Sequence, residues 1–267
     1  MIEQLLYLFI GAIAGLCAGL LGVGGGIVVV PILAILFSAI FPSNLLMHMA
    51  IGTSLTIMMF TAASTTYAYQ RHGLVKWQLF YRFTPGMVLG VITGAVFAMY
   101  LSSQFLQTAF AIFISLIALK MFDTRKTHAE RQLPQFWGLS FAAFCTGILS
   151  GFFGVGGGVL MVPLFVYCNV PMRNATATSA VCGLMLSIIG TICLVLTGLH
   201  AVNGFSLPLG TTGFVYWPAV LPIAITSILF APLGTRIAVS ISPHLLQRIF
   251  AIALLVTAYY LLYGARP

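Results

Sequence analysis

Gly22-Val23-Gly24-Gly25-Gly26 packs four glycines into five residues, and Pro31 follows five positions later. The chain repeats this stretch as Gly154-Val155-Gly156-Gly157-Gly158, with Pro163 at the same spacing. Laying Gly15–Pro31 over Gly147–Pro163 gives nine identities in seventeen positions. Later segments also match: Trp77 with Trp217, Gly94 with Gly234, Gln107 with Gln247, and Phe110-Ala111-Ile112 with Phe250-Ala251-Ile252. Self-similarity over most of a chain marks an internal duplication. The fold is therefore expected to consist of two like halves, 1–121 and 136–267, joined by a linker at 122–135 and integrated into one domain.

The solvent of that fold follows from charge. Only 5% of residues are charged and 61% are hydrophobic, with a mean hydropathy of +1.11. Soluble domains carry roughly a quarter charged residues, so a soluble fold is excluded. Apolar stretches of about 20 residues, the length that spans a bilayer as helix, recur along the chain. They run continuously, where a membrane β-barrel would alternate polar and apolar positions. The expected fold class is an all-α polytopic membrane protein of about eight to ten segments. The N-terminus lacks a basic region and a small-residue cleavage site, so the first span reads as retained.

The first span, Leu5–Leu21, carries Gly11, Gly15 and Gly19 on one helix face. A fourth, Phe83–Leu101, repeats the device with Gly86, Gly90 and Gly94. Such ladders let helix backbones approach closely, and packing is the favoured reading for both. After each glycine break comes a short run, 27–41 or 159–167. Fifteen residues of helix rise only ~22 Å, less than the ~30 Å hydrocarbon core. Short, glycine-interrupted segments in matching places of two halves point to a transport site.

The net charge of +8 comes from eleven Lys and Arg against three acids. These bases are scattered in short loops, which excludes a nucleic-acid face and suits orientation signals. They crowd 71–82 and 120–131, whereas 200–214, which follows the matching span of the second half, has none. The positive-inside rule then turns the halves in opposite directions, an inverted 5+5 repeat with both termini outside; Arg266 alone disagrees. Cys17, Cys145, Cys168, Cys182 and Cys193 lie in apolar runs without metal-binding spacing and read as small core residues. Trp77 and Trp217 read as interface anchors.

A Rossmann fingerprint needs a preceding strand and a later acid, and a P-loop needs Gly-Lys-Ser/Thr; neither is present. What remains for the breaks is anion binding by exposed backbone N–H groups at a helix N-terminus, or tight helix crossing alone. Thr53-Ser54 and Thr178-Ser179 form a second matched pair, able to donate to an oxyanion or to bond their own helix. His48 and Arg173 stand in matching positions, with Asn174 beside the latter; these three are candidates for gating or coupling. No acid lies within a span, which disfavours a cation carrier. Expulsion of an anion needs no coupling, since an inside-negative potential favours it by roughly 2.3 kcal/mol per charge per 100 mV.

Paired Gly-x-Gly-Gly-Gly-x-x-x-x-Pro motifs (Gly22–Pro31, Gly154–Pro163), each closing a glycine-laddered span, resemble those of the TauE/SafE family. This sulfite-exporter-like family is also called the toluenesulfonate uptake permease family. The resemblance implies a multi-pass transporter of small sulfur-containing anions in the bacterial inner membrane. It carries over to Gly22, Gly24, Gly25, Gly26 and Pro31, and to Gly154, Gly156, Gly157, Gly158 and Pro163. The Thr-Ser pairs come from the repeat alone. No catalytic residue, metal site or cofactor is expected; the expected partners are the lipid bilayer and a small anion, with a homo-oligomer left open. The alternative is a passive anion channel or non-transporting subunit whose glycines only pack helices.

Overall fold

The computed structural model describes residues 2–21, 25–122, 136–202, 207–237, 251–252, 254–256 and 258–264. The first half contributes α1 (Ile2–Leu21), α2 (Gly26–Phe37), α3 (Leu46–Arg71), α4 (Trp77–Met99) and α5 (Ser103–Phe122). The second contributes α6 (Phe136–Phe153), α7 (Gly158–Tyr167), α8 (Met172–Ala201) and α9 (Trp217–Ile237), with a closing π-helical turn at Tyr260–Gly264. Among the described residues five helices are long and apolar enough to cross a membrane: α1, α3, α4, α8 and α9. At 12 and 10 residues, α2 and α7 rise only about 18 and 15 Å, too little to cross as helix.

The glycine ladders explain how the halves join. A methyl group at Gly15 would stand 2.5 Å from Ser227 O of α9, and one at Gly19 would strike Ala231 O. On the other side Gly90 abuts Phe144 O and Gly147 Cα of α6, and a Cβ on Gly151 would come within 2.5 Å of Val91 O. Each half thus lays its first helix along the fourth helix of the other, backbone against backbone. The packing reading of both ladders is what the structure shows.

The antiparallel pair α3 and α8 runs between these outer pairs. Tyr69 near the end of α3 clusters with Ala177 and Ala180 near the start of α8. At the other end Gly52 of α3 and Gly198 of α8 both abut the backbone of Phe214. That residue sits on a small hairpin, β1 (Thr211–Thr212) paired with β2 (Val215–Tyr216). Gly210 and Gly213, at φ 86° and 56°, turn the segment after α8 back into the bundle. Phe214 is 1% exposed, and Tyr216 packs edge-on against Phe37 and Phe41 of the α2 end. The linker 122–135 lies almost wholly outside the described residues, and so do Arg248 and Arg266.

All five cysteines are free; Cys168 and Cys182 are buried and the others half-buried. Trp77 and Trp217 each open a helix of the matched pair α4 and α9.

Gly90→Leu should lower the melting temperature of the detergent-purified protein sharply, by the equivalent of about 2 kcal/mol or more, because the backbone it meets cannot move aside. Gly183→Ala is the control. Nothing lies within 4 Å of its missing Cβ, so the change should be neutral or stabilise by up to about 1 kcal/mol.

Candidate functional site

The second glycine break follows directly from where α6 must stop. Gly154 takes φ 66° and donates its N–H to Ser150 O at 2.9 Å, a left-handed glycine ending the helix. Four residues later α7 begins. Gly157 caps it at φ −52°, its carbonyl accepting from Leu160 N at 3.0 Å and Met161 N at 2.7 Å. Between these points the chain carries the N–H groups of Val155, Gly156, Gly157, Gly158 and Val159. Among the described residues none of them finds an acceptor, although Val155 through Gly158 are buried. Buried N–H groups without partners are rare. Here they cluster at the positive end of a helix, the natural seat of an anion.

The two breaks touch. A Cβ on Gly26 would lie 2.7 Å from Gly154 O and 2.5 Å from Met58 Sδ, so glycine is required for the crossing as well. Gly25 takes φ 77°, with Ala14 O 2.9 Å from its missing Cβ. Its counterpart Gly157 is right-handed, so identical sequences adopt different backbones. Gly22 and Gly24 lie outside the described residues. Pro31 is buried within α2, whereas Pro163 is exposed on α7, away from the break.

The hydroxyl pairs have been drawn into the framework. Ser54 Oγ donates to Gly154 O at 3.2 Å, tying α3 to the second break. Thr53 Oγ1 accepts from Tyr216 N at 3.1 Å, and Thr178 Oγ1 accepts from Lys76 N at 3.0 Å. Tyr216 and Lys76 each directly precede the tryptophan that opens α9 or α4, so the two contacts are counterparts, each reaching across from one half to the other. Ser179 Oγ donates to Thr176 O of its own helix at 2.9 Å.

The gating candidates are placed unequally. His48 is 5% exposed, bonded through Nε2 to Ala98 O at 3.1 Å and packed beside Phe214. Its counterpart Arg173 is exposed, while Asn174 Nδ2 donates to Leu74 O at 2.8 Å. Neither joins the glycine breaks.

Phe113, Leu149, Ser150, Val155, Gly156 and Leu160 line a narrow crevice at the second break, too tight as it stands for a water-sized sphere. Sequence reading missed Phe113, Leu149, Ser150 and Leu160. A single serine in an apolar span gives little signal, and Phe113 arrives from α5, distant in sequence.

A polytopic helical bundle with a buried, glycine-lined break between short and long helices is the architecture of a membrane transporter. The description "Sulfite exporter TauE/SafE" belongs to the family model that matches residues 7–261, and the chain belongs to that family. It is similar to a probable membrane transporter protein of Haemophilus influenzae, 30% identical over 95% of this chain and 96% of that one. One from Xylella fastidiosa (strain 9a5c) is 31% identical over 95% and 92% of the two chains, and one from Methanocaldococcus jannaschii is 29% identical over 91% and 89%. No solved structure matches.

Thr53→Val and Thr178→Val should each destabilise the protein by about 1–3 kcal/mol, since each strands a backbone N–H. Thr→Ser at either place should be nearly neutral. Thermal unfolding of the four variants in detergent checks both expectations.

Proposed function

We propose that this transporter moves a small sulfur-containing anion, sulfite or a sulfonate, outward across a bacterial plasma membrane, with the second glycine break as its binding site. The observation that carries the reading is the run of five unpartnered N–H groups from Val155 to Val159, most of them buried. Backbone donors at a helix N-terminus stabilise an oxyanion without any buried formal charge. The name of the family supports sulfite as the type of anion. Outward movement follows the membrane potential and needs no coupling site.

We read the two halves as an inverted repeat. The opposed directions of α3 and α8, and the exchange of first and fourth helices, support it. On this reading His72, in the basic loop, and Leu209, 95% exposed before the hairpin, face opposite sides of the membrane. Single cysteines at these places, in a background freed of native thiols, should react with an impermeant maleimide from opposite sides. Labelling of both from the same side would refute the inversion.

The binding site is tested by melting the purified protein against sulfite, methanesulfonate, taurine, sulfate and chloride. A ligand of the folded state present at a hundredfold its Kd adds about 2.7 kcal/mol of stability, so a binding anion should raise the melting temperature in a concentration-dependent way. Leu160→Trp, which blocks the crevice, should abolish the shift and the flux while leaving an inserted, monodisperse protein. No shift with any anion would favour glycines that serve helix packing alone.

A further inference from the structure

Most hydroxyls on these helices bond a carbonyl of their own helix: Thr56 to Gly52 O at 2.9 Å, Thr65 to Thr61 O at 2.9 Å, Ser115 to Ala111 O at 2.7 Å, Ser187 to Leu184 O at 2.8 Å. This is the ordinary resting place of a serine or threonine in an apolar helix. Among the described residues four buried side-chain polar atoms have no partner at all: His48 Nδ1, Thr66 Oγ1, Ser140 Oγ and Ser150 Oγ. Of these four residues only Ser150 lines the crevice at the second glycine break. It is 2% exposed, so water does not satisfy it from the surface.

The first half offers no equivalent. In the superposition of the two motifs Ala18 stands where Ser150 stands, itself fully buried. The hydroxyl therefore belongs to the second break only, although among the described residues the N–H groups of Gly25, Gly26 and Ile27 at the first break are without acceptors too. The other side chains of the crevice wall, Phe113, Leu149, Val155 and Leu160, are apolar.

We infer that Ser150 is the specificity-determining side chain of the anion site, its Oγ–H donating to one oxygen of an oxyanion whose other oxygens take the backbone N–H groups of residues 155–159. This rests on the reading of the second break as an anion site. Ser150, Val155 and Gly156 bring polar groups to a crevice whose remaining lining, Phe113, Leu149 and Leu160, is apolar. The arrangement suits an anion with its oxygens on one face, as in a pyramidal SO3 group, and leaves the fourth oxygen of sulfate against hydrocarbon, where an unpaired polar group is costly.

A side chain kept for a ligand behaves differently from one kept for the fold. Removing an unpartnered buried hydroxyl relieves an unmet desolvation cost, whereas removing a hydrogen bond to a charged acceptor weakens binding, by about tenfold or more. Ser150→Ala should therefore leave the ligand-free melting temperature unchanged or raised, and weaken sulfite and methanesulfonate binding by about tenfold or more in calorimetric titration of the purified full-length protein. Ser150→Thr, which restores a hydroxyl, should recover most of the affinity, and Ala18→Ser should change neither affinity.

A lowered melting temperature for Ser150→Ala with unaltered affinity would overturn the inference and make Ser150 structural. If Leu160→Trp abolishes sulfite binding while Ser150→Ala does not, the site stands and the role of Ser150 falls. If the wild-type protein binds neither anion, the anion-site reading falls and takes this inference with it.

Discussion

The close approach of backbones in two helix pairs, α1 on α9 and α4 on α6, is the constraint on which the rest of this structure depends. Lipid is as apolar as leucine, so helices in a bilayer gain little from burying apolar surface against one another. What holds them is van der Waals contact at short range, and that requires residues without bulk at the crossing. Gly11, Gly15 and Gly19 supply it on one side, and Gly86, Gly90 and Gly94 on the other. Because each pair takes one helix from each half, neither half can pack without its counterpart.

That exchange places α3 at the centre. Its 26 residues are buried along most of their length, among them Thr53, Ser54, Thr56, Thr61 and Thr65. A helix so rich in hydroxyls survives in an apolar interior because nearly every one is bonded. Thr61 Oγ1 meets Ser227 Oγ at 2.7 Å, Tyr69 Oη donates to Gly19 O at 3.1 Å, and Thr53 holds the backbone ahead of α9. Ser150 shares the lack of a partner with Thr66 of α3 and Ser140 of α6, and differs from them in lining the second break.

The two breaks show one repeated motif adopting two backbone conformations. Their sequences are the same at every glycine, yet Gly25 is left-handed and Gly157 right-handed. The flanking residues differ instead. Ala18 against Ser150, and the arrival of Phe113 from α5, give the second break a hydroxyl and an apolar wall. The first break packs its Gly26 directly onto Gly154.

Much of the architecture was legible in the chain itself. Continuous apolar runs with almost no charge determined a helical membrane protein, the recurring glycine motifs marked where helices break and short ones begin, and the ladder spacing foretold close helix crossings. These are local properties, set by periodicity, solvent preference and the absence of a Cβ. Tertiary structure alone decided which helices cross, that Phe214 returns on a hairpin to fill the end of the α3–α8 pair, and that Thr53 and Thr178 hold the starts of the opposite half's helices. It also decided that Pro163 and Arg173 face outward while Ser150 lines the crevice. Each of those depends on a partner in another element or on a face that periodicity does not label, and only the packed bundle supplies it.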